Sequence, residues 1–219
     1  MSDDRTTITK LPTANGNVPL SDSEKTQVIE DATKAYEKFL DALRIDWRND
    51  PNSEGTPRRV AKSYVNDLAA GCYNEVPNIT SFPSDGYDGM IFQGGIPVRS
   101  LCSHHHLPFI GVAHIAYIST DKGMVMGLSK LNRTVEHFAR RPQIQESLTT
   151  QISKYIDVIC EDNKGVAVMI SATHFCACMR GVKHDGCEMK TSKLTGDFLD
   201  DPAVKNEFYY FVQDWSKGH

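Results

Sequence analysis

Apolar residues recur with helical period near the start of the chain: Val28, Ala32, Tyr36, Phe39, Leu40 and Leu43 fall on one face. Ahead of them, 21-SDSE-24 has the spacing of a capping box, so a helix with a buried stripe is expected to open there. A second helix is punctuated in 56-TPRRVAKSYVNDLAAG-71. Thr56 can cap, Pro57 suits the first position, Val60, Tyr64 and Leu68 form a stripe, and Gly71 can end it. Residues 1–20 are polar and aperiodic and are expected to be a flexible arm.

From Cys72 to Arg99 the chain is rich in Pro, Gly, Asn, Asp and Ser and reads as loop, with one short strand-like piece at 90-MIF-92. The β-branched run 111-GVAHIAYIST-120 predicts a strand, and 123-GMVMG-127 a short one. Leu131, Val135 and Phe138 have helical spacing. After Pro142, Ile144, Leu148, Ile152, Tyr155, Ile156 and Ile159 do so again, giving two helices or one kinked helix.

The most strand-like stretch is 166-VAVMISATHFCACMRG-181, expected to be one long, bent or twisted strand. Side chains two apart share a strand face, so Val168, Ile170, Ala172, His174, Cys176, Cys178 and Arg180 are expected on one side. There an apolar face turns into His, Cys, Cys and Arg, as expected where a strand leaves the core for a site. A last helix, 202-PAVKNEFYYFVQDW-215, spaces Val204, Phe208, Phe211 and Trp215 to pack.

Composition narrows the classes. With 219 residues, 40% of them hydrophobic, the chain can bury one substantial core, and no Pro/Gly/Ser-rich linker divides it. A single domain is expected over 21–219, with a helical part to about residue 71 and a core from about residue 90. A formal charge of −4 and a pI near 6.0 offer no basic field for nucleic acid or anionic membrane, so phosphate recognition has to be local. Without a long apolar run or an apolar N-terminal core, a cytoplasmic protein is expected, with neither nucleic acid nor membrane as partner. The six cysteines then read as metal ligands or buried thiols rather than a disulfide framework.

Soft ligands gather in two places: Cys102 with His104, His105 and His106, and the pair His174 and Cys176. Zinc accepts thiolate and imidazole tetrahedrally, and a site with three protein ligands keeps its fourth position for water. A structural site more often shows two close pairs, which Cys102-x-x-His105 lacks, because Cys176 and Cys178 are one residue apart. Spacing leaves both catalytic zinc and a histidine-rich loop with inert thiols open. Lys130 and Arg133 near a helix start, with Arg180, form a candidate phosphate site, and no G-x-x-x-x-G-K-[ST] loop occurs. Arg59 and Lys62 read, by pattern alone, as a solvated helical face.

The order TP-x-R-VAK (56–62), C-x-HH…PF (102–109), HIAYI (114–118), GLSKLNR (127–133), RRPQIQE (140–146), H-x-C-x-x-x-RGV (174–182) and TS…G-x-F (191–198) resembles GTP cyclohydrolase I. The resemblance runs over roughly residues 24–214. It implies an α+β tunnelling fold, an antiparallel sheet with helices packed on one side and a helical N-terminal region, assembled into homodecamers with interfacial active sites. It implies zinc held by Cys102, His105 and Cys176, and hydrolysis of GTP to formate and 7,8-dihydroneopterin triphosphate, the first step of tetrahydrofolate and pterin biosynthesis. His104 then matches the donor of a proton to N7, His174 a second acid/base group, and Ser129 a serine near the ribose. Gln145 and Glu146 match the guanine-recognising pair, and Arg59, Lys62, Lys130, Arg133 and Arg180 match positions facing the triphosphate.

Two positions depart from the pattern. Ser103 stands where the family commonly has glutamate, and His106 where it commonly has an apolar residue. A sister enzyme acting on a pterin or deazapurine and a non-catalytic zinc-stabilised GTP-binding oligomer are the rival readings. Retention of His104 and His174, which a pure binder does not need, speaks against the second.

Overall fold

A computed structural model describes residues 8–218, and within them the chain folds as two compact units, Met1–Val76 and Pro77–His219.

The first unit opens with α1 (Asp22–Ala42), and both halves of its capping box form: Ser21 N donates to Glu24 Oε2 at 2.8 Å and Glu24 N to Ser21 Oγ at 3.3 Å. Next come α2 (Thr56–Ser63), a π-helical turn (Tyr64–Leu68) and α3 (Ala70–Tyr73). The residue capping α2 is Gly55 rather than Thr56, and Gly71 sits buried inside α3 rather than ending the helix. Ile29, Ala61 and Val65 form the small core, with Val28, Ala32 and Tyr73 packed around them. Of the arm expected over 1–20, residues 1–7 lie outside the described residues, while 17–20 are held firmly. Val18 N and Leu20 N donate to the carbonyls of Cys72 and Tyr73, and Asn17 Nδ2 to those of Gly71 and Asn74, satisfying groups that a helix end leaves open.

The second unit is built on a four-stranded antiparallel sheet in the order β2–β3–β5–β6, where β2 is Met90–Leu101, β3 Pro108–Ser119, β5 Asn163–His174 and β6 Glu188–Leu194. A separate ribbon pairs β1 (Ser81–Pro83) with β4 (Met124–Met126). Along β3 the strand period sorts side chains to two faces: Ile115 and Tyr117 join one core, Ala116 and Ile118 another. The first core is covered by Leu131, Val135 and Phe138 of α4 (Leu128–Ala139) and Leu148, Ile152 and Ile156 of α5 (Gln145–Ile159). The second is covered by Phe198 of α7 (Asp197–Asp200) and by Phe208 and Val212 of α8 (Pro202–Lys217). Helices therefore pack on both faces, not on one side as expected.

Two segments depart from the sequence pattern. The supposed loop before Arg99 contains the twelve-residue β2, whose Ile96, Val98 and Ser100 point inward while Pro97 and Arg99 point out. As an edge strand it tolerates Pro97, and its glycines make a bulge between Gln93 and Ile96. Gly95 has φ +70, and a Cβ there would stand 2.1 Å from the Trp215 ring. The other departure lies at 166–181. The strand stops at His174, where its pairing with Phe109 of β3 and, one residue earlier, that of Thr173 with Glu188 of β6 run out. The chain then takes one helical turn, α6 (Phe175–Cys178), so His174, Cys176 and Cys178 do not line one strand face.

Candidate metal and catalytic centre

The turn 102–106 is fixed by its backbone. Cys102 forms a bridge with Gln143 just before α5, Gln143 N donates to Leu101 O at 2.9 Å, and Ser103 N donates to Gln143 O at 3.2 Å. His106 N returns to Cys102 O at 2.8 Å, and His106 takes a left-handed φ of +53 to close the turn. Gln143 is itself anchored: its amide donates to Arg141 O and accepts from Gln151 Nε2 at 2.7 Å. Cys102 is thus buried, while His104, His105 and His106 face outward.

The turn of α6 swings Cys176 back toward Cys102, and ligand atoms of Cys102, Cys176 and His174 lie within 4.8 Å of one another. Zinc–sulfur bonds of about 2.3 Å span tetrahedral edges of about 3.8 Å, so two thiols and an imidazole at this spacing fit a metal ion after a small inward shift. Burial, then the neighbouring Cys102 thiol, push the Cys176 thiol up from its ordinary value.

His174 is held on two sides. Its ring stacks on Phe109 with centroids 4.8 Å apart and planes 6° apart, and its Nε2 lies 2.8 Å from Gln145 Oε1. Burial holds the imidazole below the ordinary histidine value, and the negative charge of Glu146 acts in the opposite sense. Glu146, exposed in the first turn of α5, is therefore electrostatically coupled to the cluster.

The other expected residues distribute as follows. His104 Nδ1 is 3.7 Å from Cys102 Sγ, at the edge of the cluster. Arg180 Nη1 donates to His105 Nε2 at 2.9 Å, so the structure gives His105 a cationic partner and brings His174 to the thiols. Ser129, Lys130 and Arg133 stand together at the start of α4, whose N-cap Gly127 provides no side-chain cap. Among the described residues no hydrogen bond or ion pair joins these three to the cluster. Gln145 is fully buried with its amide engaged, unlike the exposed Glu146 beside it. Arg59 and Lys62 belong to the first unit, where Arg59 Nη2 donates to Asn52 O at 2.8 Å.

Sequence reasoning missed Phe109, Gln143 and Thr191 as supports of the site. All three lie inside motifs, at 102–109, 140–146 and 191–198. Thr191 lies on β6, whose polar EMKTSKL carries no strand signal.

The comparisons with known proteins agree with this arrangement. The sequence profile of the family GTP cyclohydrolase I matches residues 32–213. The GTP cyclohydrolase 1 of Dehalococcoides mccartyi is 44% identical over 186 residues, covering 82% of this chain and 96% of its own. That of Alkalilimnicola ehrlichii is 43% identical over 189 residues, covering 82% and 95%. That of Streptomyces avermitilis is 42% identical over 178 residues, covering 80% and 87%. A profile match over most of the chain, relatives aligned nearly end to end, and paired cysteines beside a histidine lead to one assignment: the chain belongs to the GTP cyclohydrolase I family.

Proposed function

We propose that the protein is a zinc-dependent GTP cyclohydrolase I that hydrolyses GTP to formate and 7,8-dihydroneopterin triphosphate, feeding pterin and tetrahydrofolate synthesis. The observation that carries this reading is the convergence of Cys102, Cys176 and His174 from a turn and a strand end that are far apart in sequence. Family membership supplies the substrate.

Cys102 and Cys176 hold the metal with one imidazole. The family resemblance gives that place to His105, whose contact with Arg180 then has to give way. His174, brought beside the thiols, takes the acid/base role. A zinc ion bound there would supply a Lewis acid that makes hydroxide available near neutral pH for the hydrolysis at C8 of guanine. The chain's own residues do the rest. His104, at the edge of the cluster, delivers the proton that N7 needs as the imidazole ring opens. The exposed Glu146 carboxylate accepts from guanine N1–H and the exocyclic amine together. With the Gln145 side chain engaged, its share in guanine recognition falls to its main chain at the start of α5.

Lys130 and Arg133 at the uncapped start of α4, with Arg59, Lys62 and Arg180, bind the triphosphate through charge-assisted hydrogen bonds. Ser129 sits by the ribose. We further propose the tunnelling fold, a homodecamer with active sites between subunits, and a cytoplasmic location. No helix among the described residues is long and apolar enough to cross a membrane. The scatter of phosphate-binding residues along the chain fits sites assembled from more than one subunit. Zinc content measured alongside formate release from GTP tests the proposal.

A further inference from the structure

We infer that Gln145 is a positioning residue: through its side-chain amide it fixes His174 as the tautomer with the proton on Nε2, leaving Nδ1 as the nitrogen that works. This rests on reading the Cys102–Cys176 cluster as the catalytic centre. The hydrogen bonds around Gln145 form a chain whose directions are forced. Thr149 Oγ1 lies 2.8 Å from the main-chain O of Gln145, which can only accept, so Thr149 spends its proton there. Thr191 Oγ1, 2.7 Å from Thr149 Oγ1, must then donate to Thr149. With its own proton spent, Thr191 can only accept from Gln145 Nε2, 3.1 Å away.

The same Nε2 faces the carbonyls of Ile170 at 3.1 Å and Met189 at 3.0 Å. The amide plane therefore has one orientation. Flipping it sets Oε1 against two carbonyls and a hydroxyl without a proton to give, inside a site where Gln145 is fully buried and no water can compensate. Oε1 is thereby committed to the His174 side, 2.8 Å from Nε2, and being an acceptor it requires Nε2 to carry hydrogen. Phe109, stacked 4.8 Å from the ring, holds its plane. In the neutral imidazole the lone pair is then on Nδ1, whether His174 takes a proton, gives one back or binds metal. A side chain matched by family resemblance to guanine thus acts through the histidine.

The test uses the full chain as purified, with histidine rings labelled with 15N and a His174→Gln variant to assign the His174 signals. The expected wild-type spectrum has His174 with its proton on Nε2 and an unprotonated Nδ1; a proton on Nδ1 overturns the inference without any variant. In Gln145→Met the tautomer preference is lost, and kcat falls roughly 10–100-fold while KM for GTP changes less than about two-fold. A raised KM with kcat and tautomer unchanged returns Gln145 to guanine binding and also overturns it. A wild-type protein that shows the Nε2 tautomer yet leaves GTP intact refutes the enzymatic reading and upholds the tautomer assignment.

Discussion

Arg180 donates through Nη1 to Nε2 of His105 at 2.9 Å, so the imidazole expected to hold metal is engaged by a cation expected to hold phosphate. A lone pair that accepts a hydrogen bond is not available to a metal ion. The two ligands should therefore help one another: a triphosphate that draws Arg180 away releases His105 for zinc. Because the pair is exposed, its worth is small, and tripolyphosphate should tighten zinc binding by about two- to five-fold. Arg180→Ala should reproduce that gain without triphosphate. Titration calorimetry showing equal zinc affinity in wild type and Arg180→Ala would remove His105 from the ligand set.

Side-chain deletions separate holding metal from moving protons. Cys102→Ser and His105→Ala are expected to lose zinc and turnover together, whereas His104→Ala and His174→Ala keep about one zinc per chain and lose ring opening by roughly 100-fold or more. Elemental analysis with a single-turnover assay reads both quantities. Zinc lost from His174→Ala but kept in His105→Ala would exchange the roles of the two histidines.

Acid should weaken the fold before it touches most carboxylates. His137 is buried, and burial, aided by the positive charge of Arg141 beside it, lowers its pKa to about 4. The folded chain keeps it neutral while the unfolded chain protonates it below about pH 6.5. Its contribution is therefore complete above pH 6.5, is lost as pH falls from there toward 4, and amounts to on the order of 3 kcal/mol. His114, also lowered by burial, acts in the same direction. Urea midpoints measured between pH 7.5 and 4.5 should slope downward, and His137→Asn should flatten the slope. An unchanged slope in that variant would assign the acid sensitivity elsewhere.

Gly95 is required twice, by its left-handed φ of +70 and by the Trp215 ring that a Cβ would meet at 2.1 Å. Gly95→Ala should cost about 1–3 kcal/mol from the backbone alone, with steric cost added. Trp215→Ala in the same chain should recover only the steric part. Full recovery of the urea midpoint in the double variant would mean that the backbone carries no strain there.

Helices were legible by their apolar rows, which in α4 and α5 return every third or fourth residue, and α1 also by its cap of Ser21 and Glu24, whereas the ends of α2 were misplaced because Gly55 caps it and Gly71 lies inside α3. Strands were legible only where both faces are apolar, as in 111–119. In β2 the glycines and Pro97 carry turn chemistry, and only Trp215, more than a hundred residues on, explains why a glycine is needed at the bulge. For 175–178 the alternation continues through a segment that has lost its strand partners, which no local pattern reveals. The site divides the same way. Cys102 and Cys176 stand out by residue type, but the partner of His174 is set by the route of β6, which brings Thr191 and the carbonyl of Met189 to Gln145.

Two cysteines and a histidine of this chain are proposed to hold a zinc ion that GTP ring opening requires. Metal content and formate release from GTP, measured on one preparation before and after chelation and again after zinc is restored, test it most directly. About one zinc per chain is expected, with formate released in step with GTP consumed, loss of both on chelation, and recovery with zinc. Formate release that persists at full rate in zinc-free protein would contradict it, as would a zinc-loaded protein that leaves GTP intact.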